Sequence, residues 1–381
     1  MTANRDESVS SHADEQRISE QDFHIMVAEQ YSFSPHTMVQ EELERKSPEI
    51  DAFWKKVTSN QETMLPLLRK ELNKINNPPF FYYDGSQLLL TLSNDKVDGD
   101  LAVSAIARTD LRDIQPDVFL YAINKLGRNG FDTTAAAFRV LDYPDFKVVI
   151  PAHALTLAQN YALIFMLSPV DGETVARGAI KQLGLRHDVT SRKTLLQLLW
   201  YTVTKAGDET LARVAMNKTE DAAIREYAQG LVSKTQEIEA LSSAEISILK
   251  QKYSMELSLK KKMRAMGDIK MPSDPSKVTK EQIEFIKLFL RSMMAMDPER
   301  AKRQLTDLQN NSDGTVPKEI SEFAKDLLTN KKAITEGFVK LPDDIEELRK
   351  MRRSELTRLS DEALESYDMI TVFIRWAEAH N

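Results

Sequence analysis

The chain has 381 residues, too many for one ordinary compact core and enough for two or three subdomains or an elongated repeat array. With 51 basic against 58 acidic side chains its net charge is −7, which argues against a generic nucleic-acid or anionic-membrane binder. The lack of cysteine excludes disulfides, thiolate zinc sites and cysteine nucleophiles, and only 12 glycines and 14 prolines leave turn chemistry too sparse for a β-rich fold.

Residues 1–20 have neither the basic start nor the apolar stretch of a signal peptide; they read as a solvated, disordered tail and the chain as cytoplasmic. Apolar stretches such as Tyr161 to Leu167 are too short to cross a bilayer, so no membrane insertion is expected. An N-terminal helical segment is expected over 21–84. Phe23, Val27 and Tyr31 share one helical face; 38–45 and 50–57 form two short amphipathic pieces, with Pro35 and Pro48 in first-turn positions. Leu65, Leu68 and Leu72 continue the pattern to a break at Asn76-Asn77-Pro78-Pro79. The aromatic string Phe80, Phe81, Tyr82, Tyr83 comes next. It is either an edge for stacking against a partner or a seal between the N-terminal helices and the first helices after residue 85, and four consecutive aromatics cannot all face inward on a helix.

From residue 85 short helices alternate with turns, near 86–94, 98–109, 115–128, 132–142, 151–167, 171–185, 188–204, 207–217 and 220–233. Gly127 and Gly130 bracket the end of the third of these. Connections this short place consecutive helices antiparallel. Asp188-x-x-x-Arg192-x-x-Leu195 recurs 33 positions on as Asp221-x-x-x-Arg225-x-x-Ala228-x-x-Leu231, and Glu173-x-x-x-Arg177 is a looser copy one helix earlier. The acid can cap a helix start, and the arginine four residues on can pair with it or with an acid on a neighbouring helix. This pattern resembles the second helix of HEAT-like repeats, best over 131–234. The resemblance implies an all-α fold: a right-handed α-solenoid of antiparallel helical hairpins over 85–234, with additional N- and C-terminal helices. The looser copy falls on an adjacent helix, so the hairpin phase stays open.

Residues 235–266 read as one long helix with Leu241, Ile248 and Met255 spaced by seven, leading to a linker through 277 that contains Pro272 and Pro275. Within 278–381 helices are expected near 278–296, 298–310, 317–330, 343–358 and 360–379, without a capping box at Thr279 and Gln282. The last helix buries Leu364, Met369, Ile370, Phe373 and Trp376.

Chemical motifs are missing. The six histidines show no zincin spacing, and His153 and His187 read as capping or surface residues. No phosphate loop, dinucleotide turn or nucleophile elbow occurs. No catalytic residue, cofactor or metal is therefore expected. The basic run Lys250, Lys252, Lys260, Lys261, Lys262 and Arg264 sets six cations against Glu256, a local +5. It could track phosphates or solvate an outer face. The expectation is a non-enzymatic scaffold or adaptor that binds another protein. A nucleic-acid binder using 250–264, or a helical-bundle enzyme with ligands from dispersed helices, are the alternatives.

Overall fold

The computed structural model describes residues 19–31, 40–93, 95–108, 116–143, 148–150, 155–157, 159–266, 274–310, 315–334, 336–356 and 361–381. The chain divides into two units, Met1–Val232 and Ser233–Asn381. Helices build both, as the composition requires.

In the first unit α1 (Glu20–Gln30) opens on a capping box between Ser19 and Asp22. α2 (Gln40–Ser59) runs unbroken through Pro48, so the two pieces expected there are one helix. Its apolar spacing continues through Phe53 and Val57, both buried, and outweighs the local proline signal. α3 (Gln61–Asn73) and α4 (Pro79–Leu92) come next; α4 takes in the aromatic string, which the sequence pattern alone places ahead of its helix. α1 to α4, with Ala105, close over a core of Phe23, Val27, Tyr31, Phe53, Leu68, Leu72, Phe81 and Leu89.

α5 (Lys96–Ala107) is capped by Asp95, and α6 (Pro116–Arg128) ends where Gly130 adopts φ +88° and the Phe131 N–H reaches the Leu126 carbonyl at 3.2 Å. α7 (Thr134–Ala137) passes into a 3₁₀ turn, Phe138–Asp142. The helix expected over 151–167 is a shorter α8 (Gln159–Leu167), preceded by an antiparallel ladder of β1 (Val148–Ile150) and β2 (Leu155–Leu157) with Val148 opposite Leu157. The β-branched run Val148-Val149-Ile150 favours extended backbone, a signal that a purely helical reading passes over. α9 (Gly172–Leu185), α10 (Val189–Thr202) and α11 (Lys205–Met216) are capped by Asp171, Asp188 and Thr204, and α12 (Ala222–Glu239) carries the chain across the division.

The long helix expected over 235–266 is interrupted. α12 ends at Glu239 and α13 (Ser243–Met266) starts afresh, because Ser242 and Glu245 form a capping box: the Ser242 N–H donates to Glu245 Oε2 at 2.8 Å, and the Glu245 N–H donates back to Ser242 Oγ at 3.3 Å. The heptad stripe is not the buried face either. Of its members Met255 is buried but Ile248 is exposed, and Ile246, Tyr253 and Leu257, which lie off the stripe, are buried. α14 (Lys280–Met296) begins with a Thr279–Gln282 capping box, against expectation; only two residues lie between the pair, as the box requires. α15 (Pro298–Gln309), α16 (Lys318–Thr329), α17 (Ile345–Glu355) and α18 (Asp361–His380) complete the second unit. α14, α15 and α16 enclose Leu290, Met294, Ala301, Leu305, Ile320 and Leu327. α13 meets α18 through Tyr253 and Phe373, ring centroids 5.7 Å apart. Among the described residues no helix is long and apolar enough to cross a membrane.

Candidate functional site

The aromatic string is divided by its helix. Phe81 is fully buried, stacked on Trp54 and edge-on to Tyr31. Tyr82 is buried too, its hydroxyl donating to the Lys74 carbonyl at 2.5 Å and accepting from the Asn77 N–H. Tyr83 is half-buried, and the side chain of Phe80 lies outside the described residues. Phe81 and Tyr82 are therefore core residues that no partner reaches. Beside them Tyr31 donates to Asp84 at 2.9 Å, and burial pushes the Asp84 carboxyl above its ordinary range. Nearby, the buried carboxylate of Glu71 takes His24 Nδ1 at 2.6 Å and Lys74 Nζ at 2.8 Å. These pairs fasten α1 to α3 and α4.

The basic run lies on α13 and spends much of its charge inside its own unit. Lys250 pairs with Asp343 at 2.8 Å, Lys260 with Glu256 at 2.8 Å and Glu365 at 3.1 Å, Lys261 with Glu355 at 3.6 Å, and Arg264 with Glu362. Lys252 is exposed and Lys262 half-buried. The carboxylates that surround α13 on α17, α18 and the segment before α17 leave little of the +5 to face phosphates.

The acid–arginine pattern has matched geometry in two of its three copies. Asp188 accepts from the Ser191 N–H at 2.7 Å and Asp221 from the Ala223 N–H at 2.8 Å. Arg192 donates to the carbonyls of Leu183 and Arg186, and Arg225 to those of Lys218 and Glu220, so each arginine reaches back to the peptide oxygens just before its helix. Arg192 also pairs with Glu220 at 2.5 Å. In the third copy Asp171, not Glu173, caps the helix, and Arg177 donates to Thr174 Oγ1 at 3.0 Å. His187 is exposed; His153 lies outside the described residues.

Sequence reasoning misses a cleft of about 330 Å³ between α14 and α15, lined by Phe289, Met293, Met296, Asp297, Arg300, Ala301 and Gln304. Phe289 is 46% exposed and Met296 61%, high values for such large apolar groups. They share a face with Met293 because steps of four and three bring side chains together on a helix. The adjoining face of α14, about 100° round the helix, carries Leu290 and Met294 into the core. At the mouth, Asp297 caps α15 by accepting the Arg300 N–H at 3.1 Å. A mobile thioether pair beside an open phenyl ring can pack against varied apolar shapes but offers no group for acid–base or nucleophilic chemistry. Among the described residues no three His, Asp or Glu side chains converge in a metal-holding group. No protein-family model, curated protein or solved structure matches the chain.

Proposed function

We propose that the protein is a non-enzymatic interaction scaffold that holds another protein, with the α14–α15 cleft as a contact site and HEAT-like stacking of hairpins over 85–234 as its framework. The observation that carries this reading is the exposure of Phe289 and Met296 on one wall of an apolar cleft. Large apolar side chains exposed side by side along one wall of a cleft form a contiguous patch, and such a patch marks docking where a single exposed residue does not. The matched reach of Arg192 and Arg225 supports the stacked framework: both residues join a helix to the turn before it in the same way, 33 positions apart. The ion-paired state of Lys250, Lys260, Lys261 and Arg264 weighs against nucleic acid.

Affinity capture from native lysate, with and without nuclease, tests the proposal with three baits: wild type, Phe289→Asp with Met296→Asp, and Lys252→Glu with Lys262→Glu. The scaffold reading expects one recurring protein on wild type and on the lysine variant, absent from the cleft variant. Loss of the partner on nuclease treatment, or on the lysine variant alone, would move the function to nucleic acid.

A further inference from the structure

We infer that the cleft between α14 and α15 takes an amphipathic helix of a partner protein, held by apolar side chains along one stripe and by a carboxylate set against Arg300. This rests on the protein-binding reading and names its ligand class. Phe289, Met293 and Met296 follow one line along α14, and a docking helix meets such a line with anchors at i, i+4 and i+7. Size selects against a second copy of this chain. Among the described residues seven line the cleft, whereas a stable dimer draws on roughly 20–30 residues a side. One helix fits; a subunit interface does not.

Charge at the rim selects the sign of the ligand. The lining holds one acid and one base. Asp297 is committed to the first turn of α15, where it accepts a backbone N–H and its charge is offset by the helix dipole. Arg300 is exposed, and no described carboxylate pairs with it. Lys302 and Arg303 lie outside the described lining and share Glu299, which pairs with Lys302 at 2.8 Å and feels the charge of Arg303. The cleft therefore sets the exposed guanidinium of Arg300 beside apolar surface, with no described carboxylate paired to it, on a chain whose net charge is −7. A helix bearing Asp or Glu next to its apolar stripe complements it, and a basic helix is repelled.

A displayed library of random sixteen-residue peptides, selected on the full chain, tests this, with selected peptides then measured by fluorescence anisotropy. The expected peptides carry apolar residues at i, i+4 and i+7 with at least one Asp or Glu. They lose binding to the chain carrying Phe289→Asp and Met296→Asp, whose thermal melt is recorded beside wild type to separate lost binding from lost folding. Arg300→Glu is expected to weaken acidic peptides about tenfold and to favour versions with Lys in place of the acids. Cleft-dependent peptides that are basic, or indifferent to Arg300→Glu, overturn the acidic-helix ligand while the protein-binding reading stands. No peptide sensitive to the cleft variant overturns both. A wild-type dimer that the cleft variant abolishes makes a second copy the occupant, and also overturns it.

Discussion

The guanidinium of Arg192 lies 2.5 Å from the carboxylate of Glu220 while the same side chain donates to the carbonyls of Leu183, at 2.6 Å, and Arg186, at 2.8 Å. Both members of the ion pair are largely buried, at 13% and 15% side-chain exposure. Removing the arginine strands an acid and two peptide oxygens. Arg192→Ala is expected to destabilise the first unit by about 2–4 kcal/mol. Arg192→Lys recovers only part of this, since the single nitrogen of an ammonium cannot span acceptors that the guanidinium reaches from both Nη1 and Nη2. Arg225→Ala, whose bonds are more exposed, costs about 0.5–1 kcal/mol. Urea denaturation of the three variants checks the order; equal losses at 192 and 225 would contradict it.

Gly178 sits where α9 crosses α7 and the 3₁₀ turn. A methyl group there would meet Thr134 Cγ2 at 2.5 Å and Phe138 Cε2 at 2.7 Å, and Phe138 is buried and cannot swing away. In an exposed helix alanine is better than glycine by about 1 kcal/mol. Gly178→Ala should nonetheless destabilise by about 1–3 kcal/mol through overpacking. Gly230→Ala on α12, where nothing lies within 4 Å, should stabilise. Thermal melts of the pair give opposite signs on this account.

Acid acts oppositely on two carboxylates of the first unit. Asp98 accepts both Arg69 Nε and Nη2 at 2.7 Å, and these bonds hold its carboxyl below the usual range. A lowered folded pKa gives stability that is present above about pH 4 and lost as pH falls through the folded value. Burial raises Asp84, so its contribution is present below about pH 4 and lost as pH rises through its folded value. The stability gap between wild type and Asp98→Asn should widen from pH 3 to pH 7, and that for Asp84→Asn should narrow. Urea midpoints at the two pH values report both; gaps that move in the same direction rule this out.

Ser242→Ala should cost about 1 kcal/mol by removing half of the box that starts α13. Denaturation of the second unit followed by circular dichroism reads the loss, and an unchanged midpoint would remove the box as the cause of the break at 240–242.

That box, Ser242-x-x-Glu245, is visible in the sequence, as is Thr279-x-x-Gln282. The first is lost when a strong apolar period is allowed to outvote a capping signal, the second when the two residues between Thr279 and Gln282 are read as three. Helix content and the ends of α9, α10 and α18 are legible, since Asp171, Asp188 and the stripe through Ile370 and Phe373 are local signals. The role of the basic run is not. Its acids lie far along the chain, Asp343 being 93 residues from Lys250 and Glu365 being 105 from Lys260. The cleft is hidden for another reason. α14 is apolar on two faces, and spacing alone does not tell Phe289 and Met296, left in water, from Leu290 and Met294, which pack.

Photo-crosslinking in cells puts the central claim to its most direct test. Benzoylphenylalanine in place of Phe289, with Ile75 as a control position that is 79% exposed on the first unit, reports what touches the cleft. The account predicts one recurring, nuclease-resistant protein adduct at 289 and none at 75. Adducts of equal yield at both positions, or none at 289, would contradict it.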